Sequence, residues 1–477
     1  MVFHSPQFIL FLIGVVLVWQ ILPGRFRRYW MLLASVLFYG LSSWQSLPSF
    51  LLLALLGYGL ARWTGKTEEM RNKRGSIAVA VFVCLFVLLK LVGGFWQSEQ
   101  GKGILPWLIP LGYSYFFFAV IGYLVDVKRG TTPPITDLVT YGLLVGFFPQ
   151  ALSGPIARTE TLRSQYEQAG ARQEEDLSLG FEKFLMGFFR KVAVADMLGI
   201  LVSSIYAEPT KVSSLSFLVA VLLYPLQLYF DFAGYSDMAI GCAQMMGIHL
   251  QENFSTPYFS RDMRELWRRW HISLSEWLRD YIYFPLGGSR KGEGRRVLNA
   301  FVVFLVCGFW HGVQWRYLLW GLLMAVGQQL GTVVSKKESS FMKKVGPMLT
   351  YCYWAVCLVL FSHPLSVLRE RLQGTAAENG WQELSVHLVE GIKNGSTYSF
   401  MYPYFYWIAL LGALCFCWVL DYRWWKQHEP GETTRVLQTI PTRRRWKWMG
   451  WMLALGLLCY FLTISGNMSS AFIYVGY

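Results

Sequence analysis

The chain has 477 residues, a formal charge of +14 with histidines neutral, 54% hydrophobic residues, 17% aromatics and only 15% charged residues. Soluble domains run near ~45–50% apolar and ~25% charged, so a chain of mean hydropathy +0.35 could not cover its surface with polar groups in water. A soluble multidomain protein, a disordered chain, a collagen and a secreted disulfide scaffold are excluded, leaving an all-α, polytopic integral membrane protein.

The first apolar run follows Met1–Pro6 without a basic leader, and Leu22-Pro23-Gly24 is no small-residue cleavage site. It reads as a first membrane helix, not a removed signal peptide. A membrane helix needs ~20 largely apolar residues to cross a ~30 Å hydrocarbon core. Further runs that meet or approach this start near Tyr29, Pro48, Ser76, Leu105, Leu138, Leu179, Ser213, Val297, Tyr317, Pro347, Tyr402 and Trp446. Some are short or broken, as at Gly142–Pro155 with its Phe148-Pro149-Gln150. Such breaks fit re-entrant segments enclosed by protein, because bare backbone facing lipid leaves polar groups unsatisfied. The expectation is about 11–13 membrane segments in one membrane-embedded domain: N-terminal helices (1–135), a catalytic core (136–335) and C-terminal helices (336–477).

Loop charge sets the orientation. Arg25, Arg27 and Arg28 mark one loop, Arg62, Lys66, Arg71, Lys73 and Arg74 a second, Lys128 and Arg129 a third. The intervening loops carry only Lys102. The positive-inside rule then places the N-terminus outside and the basic loops in the cytoplasm. The excess positive charge is this topology signal; a basic stripe on a soluble fold, the footprint of nucleic-acid binding, is absent. The eight cysteines lie in or beside apolar runs with no CxxC pair, so neither a disulfide framework nor a metal site is expected.

One polar region, Gln251–Arg296, combines charge, aromatics and a histidine densely enough for chemistry. Within it, Met263, Trp267, Trp270, Leu274, Leu278 and Tyr281 recur at helical spacing, predicting one amphipathic helix over Arg261–Tyr281 at the cytoplasmic interface, with its tryptophans as interfacial anchors. His271 falls at the border of the apolar face, where an interfacial histidine held by a hydrogen bond is the plainer reading. His311 differs. It ends the uncharged run Val297–Trp310 and is flanked by Gly308 and Gly312. An ionisable group at membrane depth normally faces a protein interior or wet cavity. Helix packing is the structural alternative, but the cost of burial favours function. A neutral imidazole there can take the proton of a hydroxyl attacking an acyl carbonyl. No GxSxG elbow, phosphate-cradling glycine loop or HExxH pair is present.

The block from Tyr229 to Gly312 resembles the membrane-bound O-acyltransferase family, in its alginate O-acetyltransferase branch. The resemblance is carried by DFAGYSDMAIG (Asp231–Gly241), ENFSTPY (Glu252–Tyr258), LWRRWHISLSEWLRDYIYFPLGGSR (Leu266–Arg290) and GFWHG (Gly308–Gly312), and AFIYVGY (Ala471–Tyr477) is similar to that branch's aromatic tail. The YFPLGGSR loop separates it from the related D-alanyl transfer proteins of teichoic acid. The resemblance implies a funnel-like helical fold with a tunnel to a buried histidine. It puts the catalytic histidine at His311 and the family's second histidine at His271. It also implies a cytoplasmic donor, acetyl-coenzyme A, with no bound cofactor, in a bacterial inner membrane. The acetyl group leaves on the outer side, through a periplasmic or extracellular acetyltransferase partner, onto a polysaccharide acceptor such as alginate, cellulose or peptidoglycan.

Asp231 and Asp237 are candidates to orient a histidine, with an ion pair to a nearby arginine as the equal alternative; Trp310 is a further supporting candidate. Arg268, Arg269, Arg279 and Arg290 are candidates for coenzyme A phosphates, although positive-inside topology alone would place them there. Cys307, one turn before His311, makes an acetyl-cysteine conceivable, but a structural thiol is the simpler reading. The competing functions are D-alanyl transfer from a carrier protein and transport of an acyl donor without chemistry.

Overall fold

The computed structural model describes residues 1–96, 105–156, 158–168, 174–207, 212–336, 340–363, 402–427 and 442–465. The aromatic tail Ala471–Tyr477 and the histidines His387 and His428 lie outside the described residues. Among the described residues every regular element is helical and no strand occurs. Five stretches are long and apolar enough to cross a membrane: Gly24–Thr64, Glu68–Gly94, Ser214–Met245, Lys344–Ser362 and Tyr406–Arg423. Leucines and isoleucines point outward along these and the first helix, Ile21 being 83% exposed. An outward apolar face is what a lipid-bathed helix requires, since hydrocarbon is its solvent.

Contacts divide the chain into two compact units. The first comprises Met1–Phe184, Met238–Glu252 and Glu276–Leu286. It begins with helices α1 (Pro6–Ile21), α2 (Gly24–Ser43), α3 (Leu47–Thr64), α4 (Glu68–Trp96), α5 (Tyr113–Arg129) and α6 (Leu138–Gly146). Ser5 caps α1 by accepting from the Phe8 N–H at 3.2 Å, and Asp137 caps α6 through the Val139 and Thr140 N–H groups; each cap satisfies donors a helix start leaves open. The interruption expected around Phe148-Pro149-Gln150 is present: α6 stops at Gly146 and a single turn covers Phe148–Ala151. The Phe148 N–H finds the Ser35 hydroxyl at 3.1 Å, and its ring joins Phe8, Phe11 and Phe38. The break is therefore buried and its backbone partnered, as an apolar surround demands.

The second unit comprises Leu185–Asp237, Asn253–Ser275 and Gly287–Tyr477. Helix α7 (Glu174–Phe189) continues through a π-helical stretch, Arg190–Asp196, into Met197–Tyr206. Helix α8 (Ser214–Met245) contains Pro225. Proline removes an N–H from the helical ladder, and the carbonyls of Leu222 and Pro225 beside it accept from the hydroxyls of Tyr351 and Tyr258. After α9 (Met263–Arg269) and α10 (Ile272–Leu278) come α11 (Glu293–His311), α12 (Trp315–Lys336) and α13 (Ser340–Ser362), then α14 (Tyr402–Gln427) and α15 (Thr442–Ser465). Helices α11 and α12 touch backbone to backbone: a Cβ on Gly308 would meet the Tyr317 carbonyl oxygen at 2.3 Å, and one on Gly321 the Phe304 carbonyl oxygen at 2.4 Å. Small residues permit this approach where no hydrophobic force drives helices together.

Candidate active site

The predicted single helix over Arg261–Tyr281 is broken. Asp262 caps α9 through the Glu265 N–H at 2.9 Å, but α9 ends at Arg269, Trp270 is extended, and His271 takes φ +43°. That left-handed conformation is strained for any residue with a Cβ. A backbone clasp holds it in place. The Ser255 N–H donates to the Arg269 carbonyl and the Ile272 N–H to the Asn253 carbonyl, both at 2.9 Å. The tryptophans read as interfacial anchors are instead core: Trp267, Trp270 and Trp277 are 8%, 2% and 4% exposed. Trp270 packs edge-on against Phe254 and Trp354, and Trp267 against Phe304 and Trp354. The aromatic spacing that mimics an interface belongs to buried side chains.

Asn253, fully buried, organises the turn. Its Oδ1 accepts from the Ser273 N–H (3.3 Å) and the Ser273 hydroxyl (2.9 Å), and its Nδ2 donates to the Ser236 hydroxyl (3.2 Å). The Ser273 N–H can only donate, which fixes Oδ1 as an acceptor. His271 Nδ1, 3.0 Å from the same oxygen, therefore carries its proton, and Nε2 keeps the lone pair of a neutral imidazole. Burial pushes the His271 pKa down to about 3, so the ring stays neutral under physiological conditions.

His311 is the last residue of α11 and is 5% exposed. Its ring is enclosed by Trp310 (4.8 Å between centroids), Trp320 (5.2 Å) and Phe361 (5.0 Å). The Trp310 indole also lies 6.1 Å from the His271 ring, which meets Phe232 edge-to-face at 4.7 Å. Two buried imidazoles thus flank one tryptophan. Gly308 serves the close α11–α12 contact, and a Cβ on Gly312 would strike the Tyr317 ring at 2.4 Å. Cys307 is fully buried on the same helix.

The other sequence candidates separate. Asp231 is ion-paired with Lys191 at 2.6 Å, and Lys191 also holds Asp196 at 2.6 Å. Asp237 is ion-paired with Arg190 at 2.7 Å, and Arg190 also binds Asp421 at 2.8 Å, which in turn accepts from the Tyr229 hydroxyl. Asp237 is thus in an ion pair with an arginine and Asp231 in one with a lysine. Arg269 turns inward to Glu265, the Ser255 carbonyl and the Thr256 hydroxyl, so it braces the clasp. Arg279, in the first unit, is paired with Asp280 and Glu276. Arg268 and Arg290 are exposed. Sequence reasoning missed Asn253, although it sits inside the ENFSTPY motif, and missed Trp320 and Phe361, which no local spacing links to His311.

Comparison with known proteins places the chain in a family. Residues 78–366 match the model of the membrane-bound O-acyltransferase family. The protein named "Probable alginate O-acetylase" in Pseudomonas syringae is 33% identical over 401 residues, 80% of this chain and 76% of that one. The peptidoglycan O-acetyltransferase of Helicobacter pylori is 30% identical over 351 residues, 66% of each chain. The teichoic acid D-alanyltransferase of Streptococcus thermophilus is 31% identical over 312 residues, 61% of this chain and 74% of that one. With helices fit for a bilayer, two buried histidines about one tryptophan, and a family model covering more than half its length, the chain belongs to the membrane-bound O-acyltransferase family and is an acyltransferase.

Proposed function

We propose that this enzyme passes acetyl groups from cytoplasmic acetyl-coenzyme A across the membrane for O-acetylation of an extracellular or cell-wall polysaccharide, working in a bacterial inner membrane with its N-terminus outside. His311 acts as the general base: its imidazole takes the hydroxyl proton as that oxygen attacks the acetyl carbonyl, and the departing thiolate receives the proton. His271 positions the donor through Nε2, its tautomer set by Asn253. A passage through the helices brings the reactants to His311, and an outer-side acetyltransferase partner completes delivery to the polymer. The exposed Arg268 and Arg290 draw in the phosphates of coenzyme A. The observation that carries this reading is the pair of buried imidazoles on one indole, a costly arrangement for the sake of packing alone.

The test is His311→Ala in cells and in liposomes supplied with radiolabelled acetyl-coenzyme A. The variant is expected to reach the membrane in normal amount and to lose acetyl transfer by at least about 100-fold; full acetylation would remove His311 from the mechanism. Copurification of a carrier protein bearing a D-alanyl thioester, with no label transferred from acetyl-coenzyme A, would replace acetyl by D-alanyl transfer. Uptake of intact donor without transfer would make the chain a transporter.

A further inference from the structure

Helices α9, α12 and α13 each contribute a tryptophan to one buried triangle: Trp267, Trp320 and Trp354. Their ring centroids lie 6.1 Å (Trp267 to Trp320), 5.9 Å (Trp267 to Trp354) and 6.3 Å (Trp320 to Trp354) apart, and the three residues are 8%, 2% and 1% exposed. Among the described residues, none of the three indole N–H groups has a hydrogen-bond partner. Trp320 also stands edge-to-face with His311, 5.2 Å between centroids, and Phe361 lies 5.5 Å from Trp320 and 5.0 Å from His311.

A phenylalanine at each position would supply the apolar contact without burying a donor. Burying an N–H that has no acceptor is costly, and native folds avoid it. Three such groups in one triangle call for an acceptor from outside the chain. An indole N–H donates, never accepts, and carries no charge. The partner that suits it is a series of neutral carbonyl oxygens joined by methylenes, the oxygens for the N–H groups and the methylenes for the ring faces. The pantetheine arm of an acetyl thioester has that make-up: two amide carbonyls, then the thioester carbonyl at its tip. Trp320 lies nearer the start of α12, and α9 packs along the rest of that helix toward Lys336. A Cβ on Gly327 would meet the Met263 side chain at 3.1 Å, and one on Gly331 the Asp262 carboxylate at 3.1 Å. That end of α11 and α12 carries Arg295, Arg296 and Lys336, and the positive-inside rule predicts it to be cytoplasmic, the side from which the donor is proposed to come.

We propose that Trp267 and Trp354 donate to the amide carbonyls of the donor's pantetheine arm and that Trp320 donates to the thioester carbonyl beside His311. As the acceptor hydroxyl oxygen bonds to that carbonyl carbon, the carbonyl oxygen gains negative charge. The Trp320 N–H stabilises it until the C–S bond breaks and the thiolate takes the proton held by His311. The proposal rests on the acyl-transfer reading above; it makes Trp320 a further catalytic residue and gives Trp267 and Trp354 the selection of the arm. Replacing a tryptophan by benzothienylalanine keeps the size and shape of the ring and puts sulfur in place of the N–H. Binding is measured on the full-length protein in detergent with pantetheine and with its analogue carrying sulfur for both amide oxygens, a weaker acceptor. The wild type is expected to bind pantetheine at least about tenfold more tightly than the analogue, and replacement of Trp267 or Trp354 to cut that preference about threefold. Replacement of Trp320 should leave pantetheine binding unchanged, since this probe has no thioester, and lower kcat for acetyl-coenzyme A in liposomes about 100-fold with KM held. Equal binding of the two probes by the wild type, or a preference undiminished by replacing Trp267 and Trp354, overturns the arm site; the comparison of probes needs no variant to fold. An unchanged kcat on replacing Trp320 overturns its catalytic role. Acetyl transfer that persists alongside binding blind to the amide oxygens overturns this proposal alone. Indole-dependent binding of pantetheine without any transfer from acetyl-coenzyme A overturns the acyl-transfer reading instead.

Discussion

A buried neutral histidine has a thermodynamic signature. The folded state holds the His271 pKa near 3 against an ordinary 6.5, so below pH 6.5 the unfolded chain binds a proton that the folded chain does not. Stability from this group is complete above about pH 6.5 and is lost as pH falls toward 3. His271→Gln keeps a hydrogen-bonding side chain and removes the titration. In detergent, the melting temperature of the wild type should therefore fall relative to that variant between pH 7.5 and pH 5; parallel curves would mean that His271 is charged or solvated when folded. The motifs ENFSTPY and WHIS were each legible, yet their meeting was not. Asn253 and His271 are 18 residues apart and joined by a hydrogen bond to a buried amide, a tertiary fact that no local periodicity records.

At the scale of elements, the amphipathic pattern over Arg261–Tyr281 was correct in period and wrong in continuity. Helical spacing fixes which residues share a face, but a backbone clasp from Asn253–Ser255 outcompetes helix propagation at Trp270–His271. The π-helical Arg190–Asp196 was likewise invisible beforehand, and it aims two successive basic residues at four aspartates. Asp237 belongs to that arrangement. Removing one partner of a buried pair costs roughly 3–5 kcal/mol, because the remaining charge is left in an apolar surround. Asp237→Asn should accordingly lower the amount of folded protein in the membrane and its melting temperature, while each folded molecule keeps most of its transfer rate. A variant present in full amount with a collapsed rate and a shifted pH–rate profile would instead give Asp237 a place in tuning a histidine.

For the molecule as a whole, composition made the membrane class legible because lipid inverts the usual burial pattern; loop charge predicts an orientation, because basic residues resist translocation. The enclosure of His311 by Trp320 and Phe361 was not legible, since it depends on which helices become neighbours. Orientation can be read directly at two exposed positions that bracket α11: Ser289 before it and Gln314 after it. In a background where the native exposed cysteines Cys84, Cys352 and Cys415 are replaced, a membrane-impermeant maleimide should label Gln314→Cys in intact cells. Ser289→Cys should react only after permeabilisation. The α11–α12 connection would then face outward and the YFPLGGSR loop inward, placing His311 at the end of its helix nearer the outer surface. The reverse pattern would turn the α11–α12 connection, and with it the His311 end of α11, toward the cytoplasm, so a single labelling experiment constrains both the topology and the side of the membrane nearer His311.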